Sequence, residues 1–155
     1  MNIVEEILKI ERIEIERKTK NHLKQYNSGE VKHLKQLQFH KCLKKNRWVF
    51  GGNRSGKTEC GAVEVVYMAR GNHPYRKITG ATTGWVVSLS QQVQRDVAQS
   101  KILYYLNPDW IVDVVMISGR KDNYTNGVID YILVKNVFGT VSKIGFKSCD
   151  QGREK

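Results

Sequence analysis

Eight consecutive residues carry the clearest chemistry in this chain. Residues 51–58 read G-G-N-R-S-G-K-T and match the phosphate-binding pattern G-x-x-x-x-G-K-[ST]. Glycines allow a tight turn whose N–H groups face phosphate oxygens, and a following helix adds the positive end of its dipole. Lys57 would reach the β- and γ-phosphates, and Thr58 would hold Mg²⁺ through its hydroxyl. The expected nucleotide-binding residues here are Gly51, Gly52, Asn53, Arg54, Ser55, Gly56, Lys57 and Thr58.

The segments on both sides of the motif have the pattern that a P-loop needs. Residues 47–50 are a short, bulky apolar run typical of a buried strand. Residues 58–70 predict a helix with one apolar face, formed by Ala62, Val65, Val66 and Ala69. Gly71 follows where a helix stop is expected. The alternative is a glycine-rich surface turn with a chance lysine, and the order strand, loop, helix argues against it.

The charge balance points to a polyanionic partner. The chain has 155 residues, enough for one domain with a core, a formal net charge of +11 and a pI of about 9.7. Between residues 17 and 47 there are ten Lys or Arg residues and a single acid, Glu30. Nucleic acid is the expected partner of such a stretch, and a solvated helical face is the alternative.

Cysteine usage and hydropathy favour a protein of the cell interior. Cys42, Cys60 and Cys149 are far apart and form no C-x-x-C pair, so neither a zinc site nor a disulfide framework is indicated. The first residues lack a signal-peptide pattern, and no apolar run approaches the length of a membrane helix. We therefore expect a soluble, intracellular protein without a membrane partner.

The remaining pattern predicts helices first and strands later. Residues 1–26 and 31–45 predict two helices, residues 85–89 a buried strand, and residues 90–105 a helix with Ser90 as N-cap. Strand and helix alternating around the motif predict a parallel sheet covered by helices. Short β-rich runs at 112–117, 128–134 and 141–146, separated by turns at 119–127 and 136–139, predict an antiparallel or mixed portion.

The acidic strand of a hydrolysing P-loop protein is missing from the sequence pattern. Such a strand ends in Asp, usually with a second carboxylate beside it. Asp113, Asp130 and Asp150 lack the adjacent acid, and Asp150 does not follow an apolar run. The chain thus offers a nucleotide cradle without an obvious group to orient the attacking water.

Five segments resemble the large subunit of the tailed-bacteriophage terminase, the DNA-packaging motor. These are residues 36–40 (Q-L-Q-F-H), 47–58, 61–67, 73–76 and 144–154. The resemblance covers residues 34–155 and implies an α/β P-loop NTPase fold of the RecA-like, ASCE type, with N-terminal helices and a β-rich second half. Residues 1–30 would be an N-terminal helical segment, and residues 31–155 the N-terminal part of the ATPase domain.

The resemblance also implies roles for individual residues. Gln36 matches an adenine-contacting glutamine upstream of the P-loop, and Phe39 is placed to stack on or shape the adenine pocket. Arg54 matches a basic residue of the family's P-loop and could act in cis on the γ-phosphate, like an arginine finger. A surface side chain on a loop is the alternative for Arg54. Arg54 and Lys57 are the expected catalytic residues, whereas His40 and His73 are assigned no chemistry.

Relative to that family, the sequence is expected to be an incomplete ATPase domain. The family's acidic strand would come shortly after residue 152, and its nuclease domain lies further on. In the complete protein, ATP would power translocation of double-stranded DNA into a capsid. The implied partners are double-stranded DNA, a small terminase subunit, a portal protein and a homo-oligomeric ring, all in the host cytoplasm.

Two other functions remain open on the sequence. A nucleotide- or nucleic-acid-binding module without hydrolysis would keep the P-loop and the basic stretch. A small-molecule kinase would share the P-loop, but the β-rich second half and the basic helical N-terminus argue against it. We expect this chain alone to bind ATP weakly and to hydrolyse it poorly or not at all.

Overall fold

The computed structural model describes residues 3–19, 21–30 and 32–150. Residue 31, where the second helix was predicted to begin, and residues 151–154 of the terminase-like segment lie outside the described residues. The helices are α1 (Ile3–Thr19), α2 (His22–Gln25), α3 (Leu34–Lys41), α4 (Lys57–Arg70), α5 (Gln91–Val93) and α6 (Ser100–Tyr105). A π-helical segment (Gln94–Gln99) joins α5 to α6, and short 3₁₀ helices span Pro108–Trp110 and Lys121–Asn126.

Four strands form one mixed sheet. They are β1 (Thr83–Ser88), β2 (Ile111–Ser118), β3 (Val128–Lys135) and β4 (Val141–Ser148), in the order β1-β4-β3-β2. β1 is parallel to β4, and the two other pairs are antiparallel. The predicted mixed β portion is therefore confirmed, because the three β-rich runs form three adjacent strands.

Helix α4 packs on this sheet and forms the centre of the core. It begins after Gly56 and ends at Gly71, both of which have left-handed backbone angles that glycine adopts without strain. Its apolar stripe packs with α6 and the central strands. The fully buried members of the core are Val63, Val66, Ile129, Ile132, Val134 and Phe146.

The predicted buried strand at residues 47–50 is wrong. These residues form neither helix nor strand, and Trp48 and Phe50 are 83% and 90% exposed. The predicted parallel pairing with the strand at 85–89 is therefore not found, and β1 pairs with β4 instead. β1 lies at one edge of the sheet with Trp85 72% exposed, so that strand is not buried as predicted. An apolar run specifies burial only when a neighbouring strand accepts its backbone hydrogen bonds.

The predicted helices occur with changed boundaries. The first predicted helix corresponds to two helices, α1 and α2, and the Asn21 side chain caps α2 by accepting a hydrogen bond from the Lys24 N–H at 3.3 Å. α3 is shorter than predicted. Ser90 caps α5 as predicted, accepting from the Val93 N–H at 3.2 Å. No helix among the described residues is both long and apolar enough to cross a membrane.

The π-helical segment brings two glutamines into the core. Gln94 and Gln99 are fully buried. Gln99 donates to the Gly127 carbonyl at 2.9 Å and accepts from the Ile129 N–H at 3.1 Å, while Gln94 donates to the Ile129 carbonyl at 2.9 Å. The glutamine side chains thus satisfy backbone groups where β3 begins.

Candidate functional site

The phosphate-binding motif forms a tight loop at the start of α4. Gly56 has φ +78° and Arg54 has φ +60°, so two positions of the loop adopt left-handed backbone angles. A Cβ on Gly56 would lie 2.6 Å from the amide nitrogen of Gln36, and one on Gly51 would lie 2.8 Å from the Ser55 hydroxyl. The helix begins at Lys57, so its N-terminus opens directly into the loop.

The Lys57 side chain closes this loop. Its amine donates to the carbonyls of Gly51 and Gly52, both at 2.7 Å, and to the Ser55 hydroxyl at 3.3 Å. The Lys57 ammonium therefore lies inside the loop, where a bound phosphate would contact it.

Gln36, which the resemblance predicts to contact adenine, joins α3 to the loop of residues 51–56. Its amide donates to the Gly56 carbonyl at 3.1 Å and accepts from the Asn27 amide at 3.2 Å. A polar cavity of about 540 Å³ lies beside this contact. Its lining includes Tyr26, Asn27, His33, Gln36, Arg54, Ser55, Gly56, Glu59 and Tyr105. Three residues of the motif, Arg54, Ser55 and Gly56, thus share this cavity with Gln36.

Six of the predicted residues do not line this cavity: Phe39, Gly51, Gly52, Asn53, Lys57 and Thr58. The Arg47 guanidinium lies over the Phe39 ring, 4.3 Å from the ring centroid. Thr58 is exposed on the first turn of α4 and lines a second cavity, formed with Trp85, Val86 and Ile102. The roles of Phe39 at adenine and of Thr58 at Mg²⁺ stay predictions.

Arg54 and Asn53 are exposed on the loop. Arg54 reaches the polar cavity and makes no ion pair with a described carboxylate, so its guanidinium is available to an anion there. The carboxylate of Glu59 also lines the cavity, where Tyr105 and Lys101 donate to it. Burial raises the pKa of Glu59, but these donors outweigh it and the net shift is downward.

The three aspartates that the sequence offered as a possible acidic strand have other partners. Asp113 pairs with Lys121 at 2.6 Å and Asp130 with Lys147 at 3.0 Å. Asp150, just after β4, accepts from the Gln91 N–H with both oxygens at 3.1 Å. None of the three lines the cavity beside the P-loop, so within the described residues no aspartate pair is placed to orient water there.

A second cluster, which the sequence patterns did not reveal, surrounds Glu64 on α4. Its carboxylate accepts from His40 Nδ1 at 2.7 Å and His73 Nε2 at 3.0 Å, and Arg47 donates to its other oxygen. We call these four residues the Glu64 cluster. Burial raises the pKa of Glu64, but hydrogen bonds from the two histidines and Arg47 outweigh it and hold the pKa far below its ordinary value.

The hydrogen bonds assign the tautomers of both histidines. His73 Nδ1 accepts from the N–H groups of Tyr75 and Arg76, at 3.1 and 3.0 Å, so its proton is on Nε2 and faces Glu64. His40 donates from Nδ1 to Glu64, and its Nε2 accepts from the Tyr26 hydroxyl at 3.0 Å. Burial raises the pKa of Tyr26, so its hydroxyl keeps its proton.

The Glu64 cluster has the composition of a zinc site but not its hydrogen-bond pattern. One nitrogen of each histidine and one Glu64 oxygen lie within 4.8 Å of one another. A metal on His73 Nε2 would require the proton to move to Nδ1, which already faces two N–H donors. Arg47 adds a positive charge at the same carboxylate. We therefore interpret the Glu64 cluster as a hydrogen-bonded network that holds no metal.

One signal in the sequence could have revealed the Glu64 cluster. Glu64 is flanked by buried residues on the apolar side of α4, and a buried carboxylate requires partners. Its partners lie 24, 17 and 9 residues away and follow no motif spacing.

No family model matches the chain, and no curated protein or solved structure matches it either.

Proposed function

We propose that this chain binds ATP at its P-loop and is the ATP-binding part of a viral DNA-packaging terminase large subunit. The observation that carries the proposal is the Lys57 ammonium held inside a glycine loop at the N-terminus of α4. Gln36 and Arg54 on the adjoining cavity support nucleotide over free phosphate. In the complete protein, hydrolysis would drive double-stranded DNA into a capsid, with a small terminase subunit and a portal protein as partners in the host cytoplasm.

The chemistry that Mg²⁺ would supply is neutralisation of charge between the β- and γ-phosphates, with Thr58 as its proposed protein ligand. Lys57 would stabilise the γ-phosphate, and Arg54 would add positive charge as the phosphoryl group leaves. Since no described aspartate pair faces the loop, we expect binding without efficient turnover in this chain alone.

The proposal is tested by titrating a fluorescent ATP analogue, mant-ATP, with Mg²⁺ against the chain and a Lys57→Ala variant. Removing a charge-assisted contact to phosphate should weaken affinity about tenfold or more. Lys121→Ala is the matched control, because Lys121 lies near β2 and pairs with Asp113. Equal affinity of the wild type and Lys57→Ala would refute a functional P-loop.

The second candidate function is a nucleotide- or nucleic-acid-binding module without hydrolysis. It is favoured by the lysines of residues 32–45, none of which pairs with a carboxylate in the described part of the chain. Both candidates predict little ATP turnover in this chain alone, so only strong turnover discriminates between them. A robust Mg²⁺-dependent turnover that Lys57→Ala abolishes would exclude this module and contradict the weak hydrolysis that we expect.

A further inference from the structure

We propose that Glu64 is a positioning residue for the P-loop, holding the segment that leads into the loop against α4 so that nucleotide affinity depends on it. The inference rests on the proposed function, because it assigns a role at the same phosphate site. We call residues 42–50 the leading segment. Three routes of contact connect Glu64 to the loop or to this segment.

The first route is direct. The leading segment forms neither helix nor strand, so no backbone ladder holds it. Arg47 donates from one guanidinium nitrogen to Glu64 and from the other to the Phe39 carbonyl at 3.1 Å. Arg47 lies four residues before the first glycine of the P-loop. Its ion pair with α4 therefore sets where the loop begins.

The second route passes through the loop that follows α4. His73 donates to Glu64, and its other nitrogen accepts from the Arg76 N–H. The Arg76 guanidinium then donates to the carbonyls of Cys42 and Lys44, at 3.1 and 2.8 Å. Glu64 thus holds the His73 ring, the His73 ring holds the Arg76 backbone, and the Arg76 guanidinium holds the start of the leading segment.

The third route passes through α3. His40 binds Glu64 near the end of α3, and Gln36, one turn earlier on the same helix, binds the Gly56 carbonyl at 3.1 Å. Both ends of the P-loop are therefore held relative to one carboxylate. That carboxylate is on α4, the helix whose first residue is the phosphate-binding Lys57.

A double variant separates positioning from stability. Glu64→Gln leaves Arg47 without its anion, and Arg47→Met leaves Glu64 as a buried charge, so each single variant should destabilise the fold. Together they remove both charges, and stability should partly recover. The contact between α4 and the leading segment remains lost, so affinity should not recover with it. If Glu64 only stabilised the fold, the double variant would recover both its stability and its nucleotide affinity.

The experiment measures mant-ATP affinity and urea unfolding for the wild type, both single variants and the double variant. We expect the double variant to bind about tenfold to a hundredfold more weakly than the wild type while unfolding closer to it than either single variant. Asp113→Asn, which removes a paired carboxylate at the far edge of the sheet, is the control and should bind normally. Wild-type affinity in the double variant would overturn the inference.

A second readout does not require nucleotide. Amide hydrogen exchange in the ligand-free protein should be faster for residues 42–56 in the double variant, with β3 amides unchanged. If the wild type fails to bind mant-ATP, or Lys57→Ala binds equally well, the proposed function fails. Exchange then decides the positioning role alone, and unchanged exchange in residues 42–56 would overturn it.

Discussion

Glu64 keeps its charge inside the fold because three donors surround it. His40 and His73 share one oxygen, and Arg47 takes the other. Replacing Glu64 would take this partner from all three donors, and breaking a buried ion pair typically costs about 3–5 kcal/mol. The same donors lower the pKa of Glu64, so its contribution to stability must depend on pH.

The sign of this pH dependence follows from the direction of the shift. A lowered pKa in the folded state stabilises the protein fully above the ordinary value of 4.5, and the contribution is lost as pH falls below it. We predict that the unfolding free energy of the wild type exceeds that of Glu64→Gln at neutral pH, and that the difference shrinks between about pH 5 and pH 3. Urea unfolding at several pH values measures it. A difference that stays constant over this range would contradict the prediction.

Helix α4 is the element in which local sequence and structure agree best. Its loop, apolar stripe and terminal glycine were all predicted, because each depends on neighbours within a few residues. Gly71 has φ +72°, and a Cβ there would lie 2.6 Å from the Phe138 ring. Gly61, in the middle of the same helix, has open space around it.

These two glycines predict opposite effects of the same substitution. Gly71→Ala should destabilise the protein by about 1–2 kcal/mol, because alanine is strained in the left-handed region. Gly61→Ala should stabilise it by up to about 1 kcal/mol, because alanine is a better residue in a helix interior. Thermal unfolding of the two variants measures both effects. Destabilisation by Gly61→Ala would mean that its surroundings are tighter than the structure shows.

The elements that sequence reasoning misjudged depend on distant partners. The bulky run at 47–50 has the composition of a strand, but its place depends on whether another strand accepts its hydrogen bonds. The Glu64 cluster was missed for a related reason. His40, Arg47 and His73 approach Glu64 only after α3, the leading segment and the loop after α4 have folded together. Local sequence predicted the glycine loop and helix of residues 51–70, whereas the Glu64 cluster depends on tertiary structure.

Across the whole molecule, positive charge exceeds negative charge by 11 at pH 7. The paired carboxylates are spread over α4, the sheet and its connections, and among the described residues none pairs with a lysine of residues 32–45. Lys41, Lys44 and Lys45 are exposed close to one another in sequence. Such a surface favours sequence-independent contact with phosphates.

We predict that binding of double-stranded DNA weakens steeply with salt. The logarithm of affinity should fall with the logarithm of salt concentration, with a slope of about −0.9 for each phosphate contact. A triple variant, Lys41→Ala/Lys44→Ala/Lys45→Ala, should flatten this slope by about two to three units. Fluorescence anisotropy of a labelled duplex measures the slope, with Lys121→Ala as control. An unchanged slope would place the DNA contact elsewhere.

The two buried glutamines of the π-helical segment also limit which length changes the chain tolerates. They are five residues apart and both face the first residues of β3. In a regular α-helix, residues five apart point about 140° away from each other, so both could not face the core. Deleting one residue between them would place them four apart, about 40° from each other on a regular α-helix, so both could still face β3. Adding one residue would place them six apart, about 120° from each other on such a helix, which would turn one amide towards solvent and leave backbone groups of β3 unsatisfied. We therefore expect a one-residue deletion in this segment to be tolerated better than a one-residue insertion.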